Sequence, residues 1–337
     1  MDFRNLTILL TGGTGSFGKA FTRYLLRNNP PRKLIIFSRD ELKQHEMRQE
    51  FGEADPMRYF IGDVRDRERL RRAMTGVDIV VHAAALKHVP ACEYNPFEAV
   101  QTNIIGAENI INAAIDSGVK KVVALSTDKA VNPVNLYGAT KLVAEKIFIQ
   151  GNAYAGTDGT RISCVRYGNV IGSRGSIVPL FRRQKVTGRV TVTDARMTRF
   201  WISLEGGVQL VLRAMEEMRG GEIFIPKIPS MKIVDLAEAV APGCNIDFVG
   251  IRPGEKLHEV LVSRDESRHA LDVGPVYIIE PETITWPYAP WKGTPLADGF
   301  RYSSDENKEW LSVADLAAMI KDDEIPHHGT PKHAPSA

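Results

Sequence analysis

A hydroxyl, an acid and an amine follow one another at Thr127, Asp128 and Lys129, directly after a short apolar run. Tyr137 and Lys141 come next, and their i,i+4 spacing puts both side chains on one face of a helix, a turn apart. A nearby ammonium stabilises a phenolate, so this spacing predicts a lowered pKa for Tyr137. A phenolate accepts a proton from an alcohol, and the group therefore suits redox chemistry at a carbon–oxygen bond.

The spacing of Tyr137 and Lys141 is weak evidence alone, because any amphipathic helix can carry it on a solvent-exposed face. A glycine-rich segment between an apolar strand and a helical pattern strengthens it. Glycine allows a tight turn and a close approach of backbone to a pyrophosphate, and a helix N-terminus offers free N–H groups to the anion. The pattern predicts a dinucleotide site formed by Gly12, Thr14, Gly15, Ser16, Phe17 and Gly18.

The end of the second predicted strand, at residues 33–37, indicates which dinucleotide binds. This position usually faces the adenosine ribose. Arg39, with Ser38 and Lys43, suits a 2′-phosphate, which favours NADP over NAD. Asp40 complicates the assignment, because an acid here can accept hydrogen bonds from the 2′-hydroxyl of NAD. A solvated, charged helix start is the alternative.

Two further strand ends carry candidate ligands. Asp63, followed by Val64, could accept from the adenine amino group or could cap the predicted helix over residues 67–74. Small residues at 83–85, including Ala84, leave room for a cofactor beside the sheet. Lys87 is a candidate phosphate or sugar ligand, with a solvated surface position as the alternative.

The alternation of apolar strands and helical patterns predicts an α/β fold with a doubly wound, parallel Rossmann-type sheet. Ligands of such sheets lie at the C-terminal edge of the strands, where the residues above are expected. We predict an NADP-binding domain over residues 1–169, with return elements near 203–226. A smaller substrate-binding lobe over 170–320 and a disordered tail over 321–337 complete the chain.

Composition restricts the functional class. Of the 337 residues, 43% are hydrophobic and 25% charged, as in globular proteins, and the net charge of +2 gives no general case for nucleic acid or an anionic membrane as partner. The three cysteines are far apart and form neither a metal-type pair nor a disulfide framework. With no secretory signal and no long apolar run, we expect a soluble cytoplasmic protein without a metal.

Several motifs together resemble the extended short-chain dehydrogenase/reductases. The segment over residues 11–18 and the Tyr137-x-x-x-Lys141 pair carry this likeness. Within that superfamily the chain is similar to the inverting UDP-N-acetylglucosamine 4,6-dehydratases, over about residues 6–280. The narrower resemblance rests on Leu125-Ser-Thr-Asp-Lys-Ala130, Tyr137-Gly-Ala-Thr-Lys141, Arg166-Tyr-Gly-Asn-Val-Ile-Gly-Ser-Arg-Gly175, Arg196-Met-Thr-Arg-Phe-Trp201 and Arg252-Pro-Gly-Glu-Lys-Leu-His-Glu259.

The resemblance implies a reaction and a role for each reactive residue. UDP-N-acetylglucosamine would become UDP-2-acetamido-2,6-dideoxy-beta-L-arabino-hex-4-ulose, the first step of pseudaminic acid biosynthesis. Tyr137 would deprotonate the 4-hydroxyl while hydride passes to NADP, and Thr127 would bond the 4-oxygen. Lys129 would remove the carbon 5 proton, and Asp128 would protonate the departing 6-hydroxyl.

The resemblance also implies which residues hold the substrate. Surface ion pairing is the alternative role for the charged members of this set. The matching positions, which the family uses for nucleotide or sugar, are Asn169, Val178, Arg199, Arg252 and Glu255, beside Lys87 from the strand end.

Lys129 separates the chain from retaining sugar dehydratases, which carry Asp-Glu where this chain has Asp128-Lys129. A lysine acts as a base only when neutral, and we expect partial burial and the nearby Lys141 to favour that form. Two alternatives remain: another nucleotide-sugar 4,6-dehydratase or 4-epimerase of the superfamily, and a non-enzymatic NADP-binding redox sensor. The resemblance also suggests a homo-oligomer, a dimer or a hexamer.

Overall fold

A central, mostly parallel sheet organises the computed structural model, which describes residues 1–53, 55–157, 159–173 and 176–324. The first six strands lie in the order β3-β2-β1-β4-β5-β6, each parallel to its neighbour. Their runs of Val, Ile and Leu are almost wholly buried, because helices cover both faces. The predicted doubly wound α/β fold is confirmed. These strands are β1 (Thr7–Thr11), β2 (Lys33–Ser38), β3 (Met57–Ile61), β4 (Ile79–His82), β5 (Lys121–Thr127) and β6 (Arg161–Tyr167).

Later strands extend this sheet and build smaller ones. They are β7 (Asn169–Val170), β8 (Arg189–Val192), β9 (Thr198–Ile202), β10 (Ile223–Pro226), β11 (Ser230–Lys232), β12 (Asn245–Phe248), β13 (Val260–Val262), β14 (Ala270–Val273), β15 (Val276–Ile279), β16 (Thr294–Pro295) and β17 (Tyr302–Ser303). β10 lies parallel to β6, so the predicted return to the sheet is present. The antiparallel strands β15, β14 and β16 then follow at that edge. The small sheets are β11-β9-β7, β12-β8 and β13-β17.

The helices are α1 (Ser16–Asn28), α2 (Glu41–Phe51), α3 (Arg67–Ala73), α4 (Val89–Tyr94), α5 (Pro96–Val100), α6 (Gly106–Asp116), α7 (Leu136–Tyr154), α8 (Ile177–Lys185), α9 (Leu204–Glu217), α10 (Ile233–Val240) and α11 (Val313–Glu324). The sequence predicts one helix over residues 95–114. The structure instead has α5, a π-helical turn over Gln101–Ile105, and α6. Such turns occur frequently at functional sites.

The sequence predicts that Asn103, within that π-helical turn, bonds backbone near the site, and the structure shows such bonds. Its side chain accepts from Leu86 N at 2.8 Å and donates to Leu86 O at 2.9 Å. It also donates to Thr140 Oγ1 in α7 at 3.0 Å. One buried amide therefore ties the loop after β4 to the helix that carries Tyr137.

A second hydrophobic core lies outside the sheet. Phe181, Trp201, Met231 and Leu236 are buried in it, and Leu316 of α11 completes it from the C-terminal end. Arg174 and Gly175, in one quoted motif, and residues 325–337, most of the predicted disordered tail, lie outside the described residues.

Over the part of the chain that the structure describes, none of the helices is both long and apolar enough to span a bilayer. The thiols of the three cysteines are free, with Cys92 and Cys164 buried and Cys244 partly exposed.

Candidate active site

The loop between β1 and α1 is built for close contact with an anionic ligand. Gly12 has φ +65°, and a Cβ there would lie 2.8 Å from the backbone of Ala83 and Ala84. A Cβ on Gly18 would lie 2.2 Å from Gly13 O, so α1 and the loop approach too closely for any side chain. Gly15, the N-cap of α1, has no side chain to satisfy the first N–H groups. These features fit a pyrophosphate at the helix N-terminus.

An open cleft of about 1040 Å³ runs along the C-terminal edge of the sheet. The predicted site residues that line it are Gly12, Thr14, Gly15, Ser16, Phe17, Gly18, Ser38, Arg39, Lys43, Asp63, Val64, Ala84, Lys87, Thr127, Lys129, Tyr137, Lys141, Asn169, Arg199, Arg252 and Glu255. Asp40, Asp128 and Val178 are not in its lining. Val178 is 3% exposed and packs into the core of the lobe, so its side chain does not face the cleft.

The end of the cleft beyond β2 and β3 carries paired charges. Arg39 Nη1 lies 3.7 Å from Asp63 Oδ2, and Lys43 Nζ lies 2.6 Å from Asp40 Oδ2. Asp40 also caps α2, because its side chain accepts from Lys43 N. Asp66 caps α3, so the capping role considered for Asp63 is wrong.

Helix α7 presents Tyr137 and Lys141 on one buried face, as the spacing predicts. Asn135 caps it by accepting from Gly138 N at 2.8 Å. The same side chain donates to Gly254 O at 2.8 Å, which joins the start of α7 to the loop that carries Arg252. The helix start is therefore fixed both by its own cap and by the loop over residues 252–255.

Thr127, Asp128 and Lys129 form a compact group where β5 ends and a 3₁₀ turn over Asp128–Ala130 begins. Thr127 Oγ1 donates to Asp128 Oδ1 at 2.9 Å. Lys129 Nζ donates to the same oxygen at 2.9 Å and to Asn169 Oδ1 at 3.2 Å. Asp128 is fully buried, and it reaches the cleft through these two neighbours.

The predicted lowering of the Tyr137 pKa is wrong for the protein without ligand. Burial raises the pKa of Tyr137 to about 12, with Lys129 opposing the rise. Lys141 Nζ donates to Leu125 O at 2.7 Å, so at least one of its three N–H groups points to a backbone carbonyl rather than to Tyr137. Burial lowers the pKa of Lys141.

The expectation that Lys129 is neutral is also wrong. Burial alone would lower the pKa of Lys129, but the carboxylates of Asp128 and Glu259 outweigh it and raise the pKa above its ordinary value. Arg199, rather than Lys141, is the cation that opposes this rise. Lys129 is therefore an ammonium in the free protein.

The residues predicted to bind the sugar and the diphosphate come together from three segments of the chain. Asn169 lies in β7, Arg199 in β9, and the exposed Arg252 with Glu255 in the loop before β13. The guanidinium of Arg199 donates to the carbonyls of residues 198, 256 and 257, so it also fixes this loop. Lys87 also lines the cleft, and burial and the charge of Lys129 lower its pKa.

Two charged residues near Lys129 were missed by sequence reasoning. Glu259 is 2% exposed, and its Oε1 lies 3.5 Å from Lys129 Nζ. Lys256 Nζ donates to Val131 O at 2.5 Å and lies 3.7 Å from Glu259 Oε2. Both belong to the quoted motif over residues 252–259, but nothing in its spacing shows that they fold back onto residues 128–131.

Comparisons with known proteins agree with this geometry. A family model described as "Polysaccharide biosynthesis protein" matches residues 8–281. A Campylobacter jejuni (strain 81-176) protein named "UDP-N-acetylglucosamine 4,6-dehydratase (inverting)" is 55% identical over 94% of this chain and 98% of its own. A Rickettsia typhi protein named "UDP-glucose 4-epimerase" is 47% identical over 82% of this chain and 83% of its own. The X-ray structure of Pen from Bacillus thuringiensis superposes with a TM-score of 0.87, at 40% identity, over 96% of this chain and 99% of that one.

Proposed function

The chain belongs to the polysaccharide biosynthesis protein family, with the fold of the extended short-chain dehydrogenase/reductases, and from this we propose that it is an inverting UDP-N-acetylglucosamine 4,6-dehydratase. The product would be UDP-2-acetamido-2,6-dideoxy-beta-L-arabino-hex-4-ulose, the first intermediate towards pseudaminic acid. One observation carries the proposal: the carboxylate of Asp128 and the ammonium of Lys129 lie 2.9 Å apart, beside Tyr137 and the glycine-rich loop in one cleft.

Tyr137 is the base for the first step. The glycine-rich loop over residues 12–18 would hold NADP at its pyrophosphate and Lys141 would hold its ribose. The bound cofactor would supply an acceptor for hydride from carbon 4, a donor of hydride to carbon 6 and, in its oxidised form, a positive charge. A positive charge near a buried phenol lowers its pKa, so Tyr137 can accept the 4-hydroxyl proton once the cleft is filled. Thr127 lies at the end of β5, where its hydroxyl can bond the 4-oxygen.

The Asp128–Lys129 pair performs the elimination. In the free protein it is a carboxylate and an ammonium, and transfer of one proton from Lys129 Nζ to Asp128 Oδ1 gives an acid and an amine. The amine takes the carbon 5 proton, which the 4-keto group has acidified. The acid gives its proton to the 6-hydroxyl, the carbon–oxygen bond breaks and water leaves. The pair returns to its starting charges. A solvent-derived proton then reaches carbon 5 from the opposite face, which inverts that centre, and Tyr137 releases the 4-hydroxyl proton to solvent.

Incubation of the purified protein with UDP-N-acetylglucosamine in heavy water tests the function. We expect deuterium at carbon 5, loss of the 6-hydroxyl and the L-arabino configuration in the NMR spectrum. Retention at carbon 5 would identify a retaining dehydratase, and a product that keeps its 6-hydroxyl would identify a 4-epimerase. The Rickettsia relative supports the epimerase as second candidate, while Lys129 favours the dehydratase. An NADP-binding redox sensor would give no turnover.

The adenosine end of the cleft supports NADP over NAD. Removing one charge-assisted contact to a phosphate costs about 1.5–3 kcal/mol, which is about 10- to 150-fold in affinity. Arg39→Ala should therefore weaken NADP binding by that factor and leave NAD binding unchanged, as measured by isothermal titration calorimetry. Equal affinity of the native protein for both cofactors would contradict the assignment.

A homo-oligomer, a dimer or a hexamer, stays a prediction. Tyr94, Phe97 and Tyr154, which lie on α4, α5 and α7, support it because each is more than 80% exposed. Sedimentation velocity would measure the state directly.

A further inference from the structure

We propose that Glu259 is a positioning residue that keeps the shared proton on the Asp128–Lys129 pair. The inference rests on the proposed function, because only an elimination that uses one acid and one amine requires a pair with one proton. Glu259 was in none of the predicted site residues. Its carboxylate nevertheless lies 3.5 Å from Lys129 Nζ, which is close enough for its negative charge to act directly on the Lys129 ammonium.

Three cations from separate segments surround this one carboxylate. Lys129 approaches from the turn after β5, Arg199 Nε from β9 at 3.7 Å, and Lys256 Nζ from its own loop at 3.7 Å. Glu259 Oε2 is buried and accepts no hydrogen bond from the described residues, so its charge is compensated by these cations. A buried carboxylate in this position acts on all three charges together.

The backbone of Glu259 is fixed by the C-terminal part of the chain. Its N–H donates to Ser304 Oγ at 2.9 Å, and Ser304 N donates back to Glu259 O at 2.8 Å. Ser304 Oγ also lies 2.7 Å from Thr198 Oγ1, which lies 2.8 Å from His258 Nδ1. Through this buried network, Ser304, from the part of the chain after residue 280, holds Glu259 in position beside the active site.

The effect of Glu259 on the pair has a definite sign. The groups that face Lys129 are Asp128 from its own turn, Glu259 and Lys256 from the segment before β13, Arg199 from β9, Lys87 from the loop after β4, and Tyr137 from α7. Asp128 and Glu259 are the carboxylates in this set. Removing the charge of Glu259 leaves the cations in excess, so Lys129 loses its proton at lower pH.

The test is Glu259→Gln, with Glu309→Gln as matched control on the exposed surface. The pH profile of kcat with UDP-N-acetylglucosamine should lose its alkaline side about one pH unit or more earlier in Glu259→Gln. Glu309→Gln should match the native protein in KM and in the pH profile of kcat. Glu259→Asp restores the negative charge and should therefore recover most of the shift. An unchanged alkaline side in Glu259→Gln would overturn the proposal.

A second measurement needs no substrate. Amine-directed labelling followed by peptide mass spectrometry reports the neutral fraction of Lys129, which is 25% exposed in the cleft. A shift of one pH unit predicts about tenfold faster labelling of Lys129 in Glu259→Gln, with the exposed Lys185 unchanged. If Glu259→Gln does not fold, Ser304→Ala should accelerate Lys129 labelling in the same direction. Equal rates in the folded variant would overturn the proposal, whereas an inactive native protein would count against the function.

Discussion

At Lys129 and Tyr137, burial and neighbouring charges shift the pKa in opposite directions, and the stronger effect is not the same at the two residues. Burial dominates at Tyr137 and raises its pKa to about 12. At Lys129, two carboxylates overcome burial and raise the pKa. Both groups therefore hold their protons in the free protein at neutral pH. Under the proposed mechanism both give up these protons within the filled cleft, so bound ligands would create the reactive state.

Lys129→Ala separates oxidation at carbon 4 from elimination. Oxidation uses Tyr137, so the variant should still form a small amount of reduced cofactor, seen as near-ultraviolet absorbance. Carbon 5 has lost its base, so deuterium incorporation there should fall by about 10²–10⁴. Incorporation at the native rate would show that another group is the base.

Tyr137→Phe keeps the ring and removes the proton acceptor. Turnover should fall by about 10²–10⁴, as for loss of a general base, while the affinity for UDP-N-acetylglucosamine stays within a few-fold. Stopped-flow absorbance should show no reduced cofactor, in contrast to Lys129→Ala. Near-native turnover would leave Tyr137 with a packing role alone.

The sequence predicted which residues lie together in the cleft better than it predicted the charges of those residues. The spacing of Tyr137 and Lys141 correctly predicts a shared face of α7. The protonation of Tyr137 and Lys129 depends on partners that spacing does not show. Lys141 Nζ donates to Leu125 O, and Glu259, from a distant part of the sequence, lies 3.5 Å from Lys129 Nζ. Charge balance in a buried cluster is a tertiary property, so sequence reasoning gave the wrong sign for both groups.

At the scale of elements, α7 packs directly on the turn that carries Asp128 and Lys129. A Cβ added to Gly138 would lie 2.2 Å from Lys129 O, far inside van der Waals contact. The close contact at Gly138 therefore fixes the position of the helix that carries Tyr137 relative to the turn that carries Lys129.

Gly138→Ala should move this turn and reduce kcat. A misplacement of about 1 Å at a reacting group can cost about 100-fold, so we expect a loss of about 10- to 100-fold with cofactor affinity retained. Gly207→Ala in α9 is the control, because its Cβ would meet nothing within 4 Å. The control should keep its activity and melt slightly higher, since alanine favours a helix interior by about 1 kcal/mol. Native kcat in Gly138→Ala would show that the turn adapts without cost.

Elements with a strong periodic signal were predictable, and those defined by tertiary pairing were not. Five of the six parallel strands read as buried apolar runs because both faces of the sheet are covered, whereas β3, at the sheet edge, is only partly buried. The π-helical turn over Gln101–Ile105 has the composition of an ordinary helix, so the sequence could not show it. Strands β14 to β16 are short and pair antiparallel at the sheet edge. They are defined by hydrogen bonding to a neighbouring strand rather than by a hydrophobic pattern in the sequence.

For the whole molecule, Arg166 joins the sheet, α7 and the segment after β13. Its guanidinium in β6 donates to both oxygens of Glu145 at 3.0 and 2.6 Å, to Glu266 Oε1 at 2.8 Å and to Leu261 O at 2.9 Å. It is 1% exposed, and Glu145 is as deeply buried. These carboxylates raise the pKa of Arg166 against the effect of burial.

Arg166→Met should destabilise the protein strongly, because it leaves Glu145 buried without its partner. The expected loss is about 3–5 kcal/mol in the free energy of unfolding, measured by urea denaturation. Arg189→Met, which breaks an exposed pair with Asp247, is the control and should cost less than about 1 kcal/mol. Similar losses in both variants would mean that the buried network contributes no more than a surface pair.

The second hydrophobic core has a consequence for recombination and protein engineering. Among the described residues it draws on three separate stretches, 171–201, 231–241 and 316–320, and the sheet core supplies the residues between them. The polypeptide thus passes back and forth between the two cores, so no single cut releases the substrate lobe. A chimera that borrows the lobe of a relative must splice several junctions at once, whereas exchange of individual loops leaves every passage intact. Changes of sugar specificity should therefore be reached by loop replacement, with lobe grafts yielding insoluble chains.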